Sequence, residues 1–260
     1  MPTLDLSKTR WQFRDTTSKI WLPATVPGCV HTDLRRATQI PDPFYGTNEL
    51  GLQWIEERDW EYRATFTATA ALLSESEIEL VADGLDTVAT VYLNDKKVAA
   101  TENMFIGHRW SVKPLLRAGV NKLRIVFGSA LNYTRTTRTE FVPPIEFNDP
   151  LGNSVRIRKQ PCQFGWDWGP RFVTAGIWRA LRLEARSVNR LAAVHVTQAH
   201  TDNGRRVSLA LVPELAIADE ATTYSVALSL NGKTVAQTTA AYADELGFEV
   251  PSPELWWPAG

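Results

Sequence analysis

Apolar residues recur at every second position through most of this chain, and runs with a helical period near 3.6 are scarce. The pattern predicts a mainly β protein. Glu77-Ile78-Glu79-Leu80-Val81 reads as one strand and Thr87 to Leu93 as the next, after which Asn94-Asp95 turns the chain into Lys96 to Ala100, as hairpin chemistry requires. Asn121 to Phe127 places Leu123, Ile125 and Phe127 on one face. Ile177, Ala180, Leu181 and Leu183 close the last strand of this first region. One short helix is expected over His31 to Ala37, capped by Thr32 or Asp33.

From Glu184 to Leu191 the chain turns polar and charged, and a new strand series follows. A boundary near Ser187 divides it into domains 1–186 and 187–260. In the second, Tyr224 to Leu230 alternates, Asn231-Gly232 signals a type I′ turn, and Lys233 to Thr239 returns antiparallel. An immunoglobulin-like sandwich takes about 100 residues, so 188–260 reads as an unfinished one with an open strand edge. These residues are therefore expected to open a longer polypeptide.

Charge narrows the ligand. The 28 Lys and Arg nearly balance 29 Asp and Glu, with no long run of one sign, so the electrostatic footprint of a nucleic-acid or anionic-membrane binder is missing. A neutral ligand is expected. No apolar stretch approaches the roughly 18 residues that span a bilayer, and Met1 to Asp5 lacks the plan of a secretory signal, which points to the cytoplasm, or to the periplasm or the exterior if a signal has been removed. Cys29 and Cys162 are expected as two buried thiols, and His31, His108, His195 and His200 are scattered without ligand spacing. No metal and no cofactor is anticipated.

The candidate chemistry lies in Phe164-Gly165-Trp166-Asp167-Trp168-Gly169-Pro170-Arg171. Two indoles flank a carboxylate between glycines and a proline, which favours an exposed, fixed loop. A sugar ring offers a C–H face for an indole to cover and hydroxyls for an ionised Asp to accept, so carbohydrate is the substrate class indicated. The alternative is that both Trp pack internally while Asp167 pairs with Arg171 or Arg158. The long segment from Asn132 to Lys159 carries Glu140, Glu146, Asp149, Arg156, Arg158 and Lys159, read as solvated charge or loop-anchoring ion pairs.

At these residues the chain resembles the β-mannosidases of glycoside hydrolase family 2. Pro27 to Leu34 with Ile40 to Gly46 and Asn48-Glu49 resembles that subfamily's opening, and Gly84-Leu85-Asp86-Thr87 with Val91 to Asn94 is similar to the sugar-binding domain shared across the family. Arg158-Lys159, then Phe164 to Arg171, then Gly176 to Arg179 is the most discriminating match, and Leu255 to Gly260 resembles a segment near the end of the following domain.

The resemblance implies an all-β chain: a jelly-roll (galactose-binding-like) sandwich, then an incomplete immunoglobulin-like one, with a catalytic (β/α)8 barrel beyond residue 260. It implies a retaining exo-β-mannosidase whose two catalytic carboxylates lie in that barrel, leaving no catalytic residue here; Asn48-Glu49 is assigned none. Trp166 and Trp168 would wall the substrate pocket and Asp167 would hold hydroxyls of the terminal mannose. The partners implied are β-mannosides or manno-oligosaccharides and the downstream barrel. A free-standing carbohydrate-binding module and another family 2 activity, on galactosides, glucuronides or glucosaminides, are the alternatives.

Overall fold

A computed structural model describes residues 2–137, 149–151, 154–217, 219, 221–241 and 246–258. Glu140, Glu146, Ala259 and Gly260 lie outside the described residues. Two compact units divide the chain, Met1–Ser187 and Val188–Gly260.

Two antiparallel sheets face each other in the first unit. The larger runs β3 (Leu22–Ala24), β2 (Trp11–Asp15), β4 (Trp60–Ala68), β10 (Gly119–Phe127), β7 (Ala89–Leu93) and β8 (Lys96–Thr101). The smaller runs β1 (Thr3–Asp5), β12 (Leu181–Arg186), β5 (Glu77–Ala82) and β9 (His108–Ser111). Alternation sets the register: Trp60, Tyr62 and Ala64 oppose Phe127, Ile125 and Leu123, which in turn oppose Ala89, Val91 and Leu93. All nine are buried and join Leu80, Leu181 and Leu183 of the other sheet in one core. Burying the Val, Leu, Ile and Phe side chains among them contributes roughly 1.5 to 3 kcal/mol each.

Several boundaries move for tertiary reasons. The segment read as Thr87 to Leu93 is β7, preceded by a short strand β6 (Leu85–Asp86) that pairs with β11 (Gly176–Ile177). The closing strand therefore divides into β11 and β12. The Asn94-Asp95 turn forms with both residues at positive φ, as a type I′ hairpin demands.

The helix α1 spans Val30–Arg36, and its N-cap is Cys29 rather than Thr32 or Asp33. Thr32 instead bonds back to the Cys29 carbonyl at 2.8 Å, while Asp33 turns inward to accept from the Thr25 N–H and the Tyr62 hydroxyl. It is not the sole helix. α2 (Ala70–Leu73), α3 (Ala130–Thr136) and a 3-10 helix over Asn48–Glu57 also form. The two thiols are free, but Cys29 is half-buried and Cys162 exposed, because Phe164 takes the inward position of the turn that Cys162 shares.

In the second unit β13 (Leu191–Thr201), β14 (Arg206–Leu215) and β17 (Leu246–Pro251) make one antiparallel sheet, and β15 (Thr223–Leu230) pairs with β16 (Lys233–Ala241) across the Asn231-Gly232 turn. Among its described residues Val207, Leu246 and Phe248 are buried, whereas Val194, Val196, Val212, Leu230, Trp256 and Trp257 are exposed. Most of its apolar surface remains open.

Candidate functional site

The Phe164 to Arg171 loop is held from below. Pro161–Phe164 makes one 3-10 turn, and Gly165 follows at φ 117, a conformation that favours glycine. That reversal sends Phe164, fully buried, into a small cluster with Ala130, Ile157 and Val173, and sends Trp166 the other way. Gly169 N–H then donates to the Trp166 carbonyl at 3.3 Å and closes the tip.

Two nested clamps fix the root. In the outer one, Lys159 and Thr174 both reach the Asp86 carboxylate: the Lys159 ammonium donates to Oδ1 and to the Thr174 carbonyl (2.8 Å), and the Thr174 hydroxyl lies 2.6 Å from Oδ2. Lys159 and Asp86 are essentially inaccessible to solvent. Burial pulls the Lys159 amine below its ordinary range, and the Asp86 charge opposes that shift. In the inner clamp Arg171 Nε donates to the Phe164 carbonyl at 3.0 Å, joining the two ends of the loop. Its Nη1 donates to Gln53 Oε1 (2.8 Å) and Glu56 (2.5 Å), and its backbone N–H donates to Glu49 Oε1 (2.6 Å). Burial raises the Glu56 carboxyl, with the Arg171 charge acting against it.

The tip is different. Trp168 is 81% exposed, Asp167 is exposed, and Trp166 is half-buried with its ring 5.3 Å from that of Trp168 at 62°. Among the described residues Asp167 has no hydrogen-bond or ion-pair partner. Arg171 is committed to Glu56, so the alternative in which Asp167 pairs with Arg171 is not what forms, and Asp167 does not pair with Arg158 either.

A cavity of about 660 Å³ lies between the loop and the 3-10 helix, lined by Glu49, Trp54, Glu57, Leu151, Trp166 and Arg171 among others. Trp166 borders it; Asp167 and Trp168 do not. Two shielded donors on its lining residues, Trp166 Nε1 and Arg171 Nη2, have no partner among the described residues. The loop offers aromatic faces and an exposed acceptor at its tip, with the two unpartnered donors shielded from solvent. That is chemistry for polyhydroxylated ligands.

Sequence reasoning left several of these residues without a role. Glu49, Gln53 and Glu56 all reach Arg171 from one 3-10 helix, and their i, i+4, i+7 spacing in the sequence is the available signal for a shared partner. Asp86 stands in a quoted motif without an assignment, whereas Lys159 is expected as solvated charge or a loop-anchoring ion pair and forms the latter. Of the charged residues between Asn132 and Lys159, Lys159 is a loop anchor and Arg158 is exposed. Asp149 is buried and accepts the Leu151 and Ser154 N–H groups. Arg156 reaches the Thr134 carbonyl at 3.4 Å. Among the described residues no group of three or more His, Cys, Asp and Glu is placed to hold a metal, and no helix is long and apolar enough to cross a membrane.

Comparison with known proteins bears on this geometry. The family model described as "Glycosyl hydrolase 2 galactose-binding domain-like" matches residues 11–179. The chain is 35% identical over 265 residues to Beta-mannosidase B of Aspergillus flavus and 36% identical over 264 residues to that of Aspergillus niger, in each case covering 97% of this chain and 31% of the relative. The β-D-mannosidase structure from Dictyoglomus thermophilum superposes with a TM-score of 0.82 at 32% identity, over 100% of this chain and 32% of that one. The exo-chitosanase CsxA of Amycolatopsis orientalis shares the fold, with a TM-score of 0.62 at 18% identity. This chain thus spans 31–32% of the length of the mannosidases it matches. With the sandwich, the clamped loop and a family match over 11–179 in agreement, the chain belongs to glycosyl hydrolase family 2.

Proposed function

We propose that the full-length protein is a retaining exo-β-mannosidase that releases terminal non-reducing β-D-mannose, and that this portion supplies the Trp166-Asp167-Trp168 loop to its substrate pocket. The observation carrying the reading is the similarity to proteins named β-mannosidase along 97% of the chain. The second unit, in this reading, is the start of an immunoglobulin-like sandwich.

Chemically, Asp167 accepts hydroxyl protons of the terminal sugar, and the indoles cover its C–H face and close the pocket behind it. A closed end admits one sugar and makes cleavage exo. The two catalytic carboxyls of a retaining glycosidase, about 5 to 5.5 Å apart, come from outside these residues. The unpaired, exposed Asp167 beside two indole rings supports the assignment, since a polar group among aromatic faces fixes the orientation of a ligand.

Initial rates of the full-length protein on aryl β-mannoside, β-galactoside, β-glucuronide and β-glucosaminide test the reading. Mannoside is expected to lead by at least about 100-fold in kcat/KM, a margin that polar recognition readily supplies, with the anomeric configuration of the product retained. A lead by another glycoside overturns it in favour of a different family 2 activity, and binding of manno-oligosaccharides without turnover favours a binding module.

A further inference from the structure

The solvent face of the six-stranded sheet holds a second cavity, about 1040 Å³, lined by none of the residues that line the first. Its cations are Arg10, Arg14, Arg63, Lys122 and Arg124, and its carboxylates are Glu61 and Asp95. Arg14 and Arg124 share Glu61, at 2.6 and 3.3 Å. Arg63 bonds only the neutral Gln12 side chain, through Nε and Nη2, and Arg10 and Lys122 have no ion-pair partner among the described residues.

Arg63 and Arg124 stand directly opposite each other across β4 and β10. Like charges in that position are destabilising unless something neutralises them. The guanidiniums are also held in place: Arg63 and Arg14 lie 3.6 and 4.4 Å from the Trp21 ring, and Arg124 lies 3.9 Å from the Tyr92 ring. Fixed planar forks are suited to bidentate recognition of oxyanions.

The opposite face of the same sandwich shows what a self-neutralised surface looks like. There Arg109, Arg182 and Arg186 are matched by Glu79, Glu184 and Asp83, at 2.6 to 3.0 Å. On the six-stranded face the matching is incomplete: Glu61 serves two arginines, and Arg10, Arg63 and Lys122 have no carboxylate partner among the described residues. Cations on neighbouring strands are spaced by about 4.8 Å, so an extended polyanion crossing the strands would meet several in turn.

We propose that this face is a second carbohydrate-binding surface, selective for acidic oligosaccharides carrying carboxylate or sulfate groups. A sugar is the ligand chosen because the sheet belongs to the galactose-binding-like domain of a glycosidase family, and the acidic class follows from the excess of unpaired cations.

Calorimetric titration of the full-length protein with an oligogalacturonate, a sulfated oligosaccharide and a neutral manno-oligosaccharide at about 20 and about 200 mM salt tests this. An acidic sugar should bind, more weakly at the higher salt, and the tighter of the two identifies the oxyanion; binding of the neutral sugar should be unaffected by the variants below. Arg63→Gln should weaken acidic binding about tenfold, the loss of a charge-assisted bond, and Lys122→Gln, at a side chain with no hydrogen-bond or ion-pair partner among the described residues, should weaken it less. Lys97→Gln, outside the groove, should change nothing, and aryl mannoside hydrolysis should be intact in all three. The proposal is overturned if neither acidic sugar binds below about 1 mM, if Lys97→Gln costs as much as Arg63→Gln, or if poly-glutamate of equal charge binds as tightly as the sugar.

Discussion

The root and the tip of the Phe164 to Arg171 loop are built on opposite principles. At the root two buried ion pairs carry the charge: Lys159 with Asp86, and Arg171 with Glu56. At the tip, a few residues away, Asp167 and the Trp168 indole are exposed and Asp167 has no partner among the described residues. Ion pairs of the first kind are expensive to break and contribute little specificity for a ligand. Unpaired groups of the second kind contribute little to stability and are available to a substrate. The contrast teaches that the loop keeps its matched charges at the root and leaves the groups of its tip uncommitted.

The comparison breaks first at the root. Glu56→Ala strands the buried Arg171 guanidinium and should destabilise the first unit by about 3 to 5 kcal/mol, seen as a lower urea midpoint; an unchanged midpoint would mean that the clamp carries no load. Asp167→Ala should leave that midpoint within about 0.5 kcal/mol while lowering kcat/KM on an aryl β-mannoside by about 1.5 to 3 kcal/mol. Equal losses of stability in both variants would erase the distinction.

A pH experiment sharpens it. Burial, aided by the Lys159 charge, lowers His31 from 6.5 to about 4, so below pH 6.5 the unfolded chain takes up a proton that the folded one refuses. More protons bound in the unfolded state means stability is lost as pH falls, by about 2 kcal/mol between pH 7 and 5 for this group. Asp33, raised by burial to about 6, acts with the opposite sign: the folded state takes its proton first, so acidification through that range stabilises. The His31 contribution is therefore read as the difference between the parent and His31→Gln, in which the Asp33 effect cancels. The parent should lose about 2 kcal/mol more than the variant on going from pH 7 to 5, and parallel pH profiles would contradict the buried, uncharged His31. The smallest effect expected is that of Trp168→Ala, which removes an exposed ring and should cost about 1 kcal/mol in kcat/KM with no change in midpoint.

What was legible in the sequence follows from local causes. β4, β5, β7 and β10 alternate because each has one face on the core, and the Asn94-Asp95 and Asn231-Gly232 turns announce themselves through residues that tolerate positive φ. The loop itself stood out because its composition is unusual. Its supports did not, because their meaning depends on distant partners: Lys159 and Asp86 are 73 residues apart, and Arg171 and Glu56 are 115 apart. The 3-10 helix over Asn48–Glu57 was hidden for the same reason, since it is organised around Arg171. The α1 cap departs from the expected Thr32 or Asp33 because Asp33 has a better use: it meets Tyr62 inside the core. Cys162 was expected inside, but Phe164 holds the inward place in that turn.

The central claim, that Asp167 holds a hydroxyl of the terminal sugar, is tested most directly by a double-mutant cycle between the protein and its substrate. The full-length enzyme and its Asp167→Ala variant are assayed on an aryl β-mannoside and on analogues in which each hydroxyl of the terminal ring is removed in turn. For at least one analogue the account predicts that the two enzymes converge in kcat/KM, a coupling of about 1.5 to 3 kcal/mol. Additive losses with every analogue would contradict it.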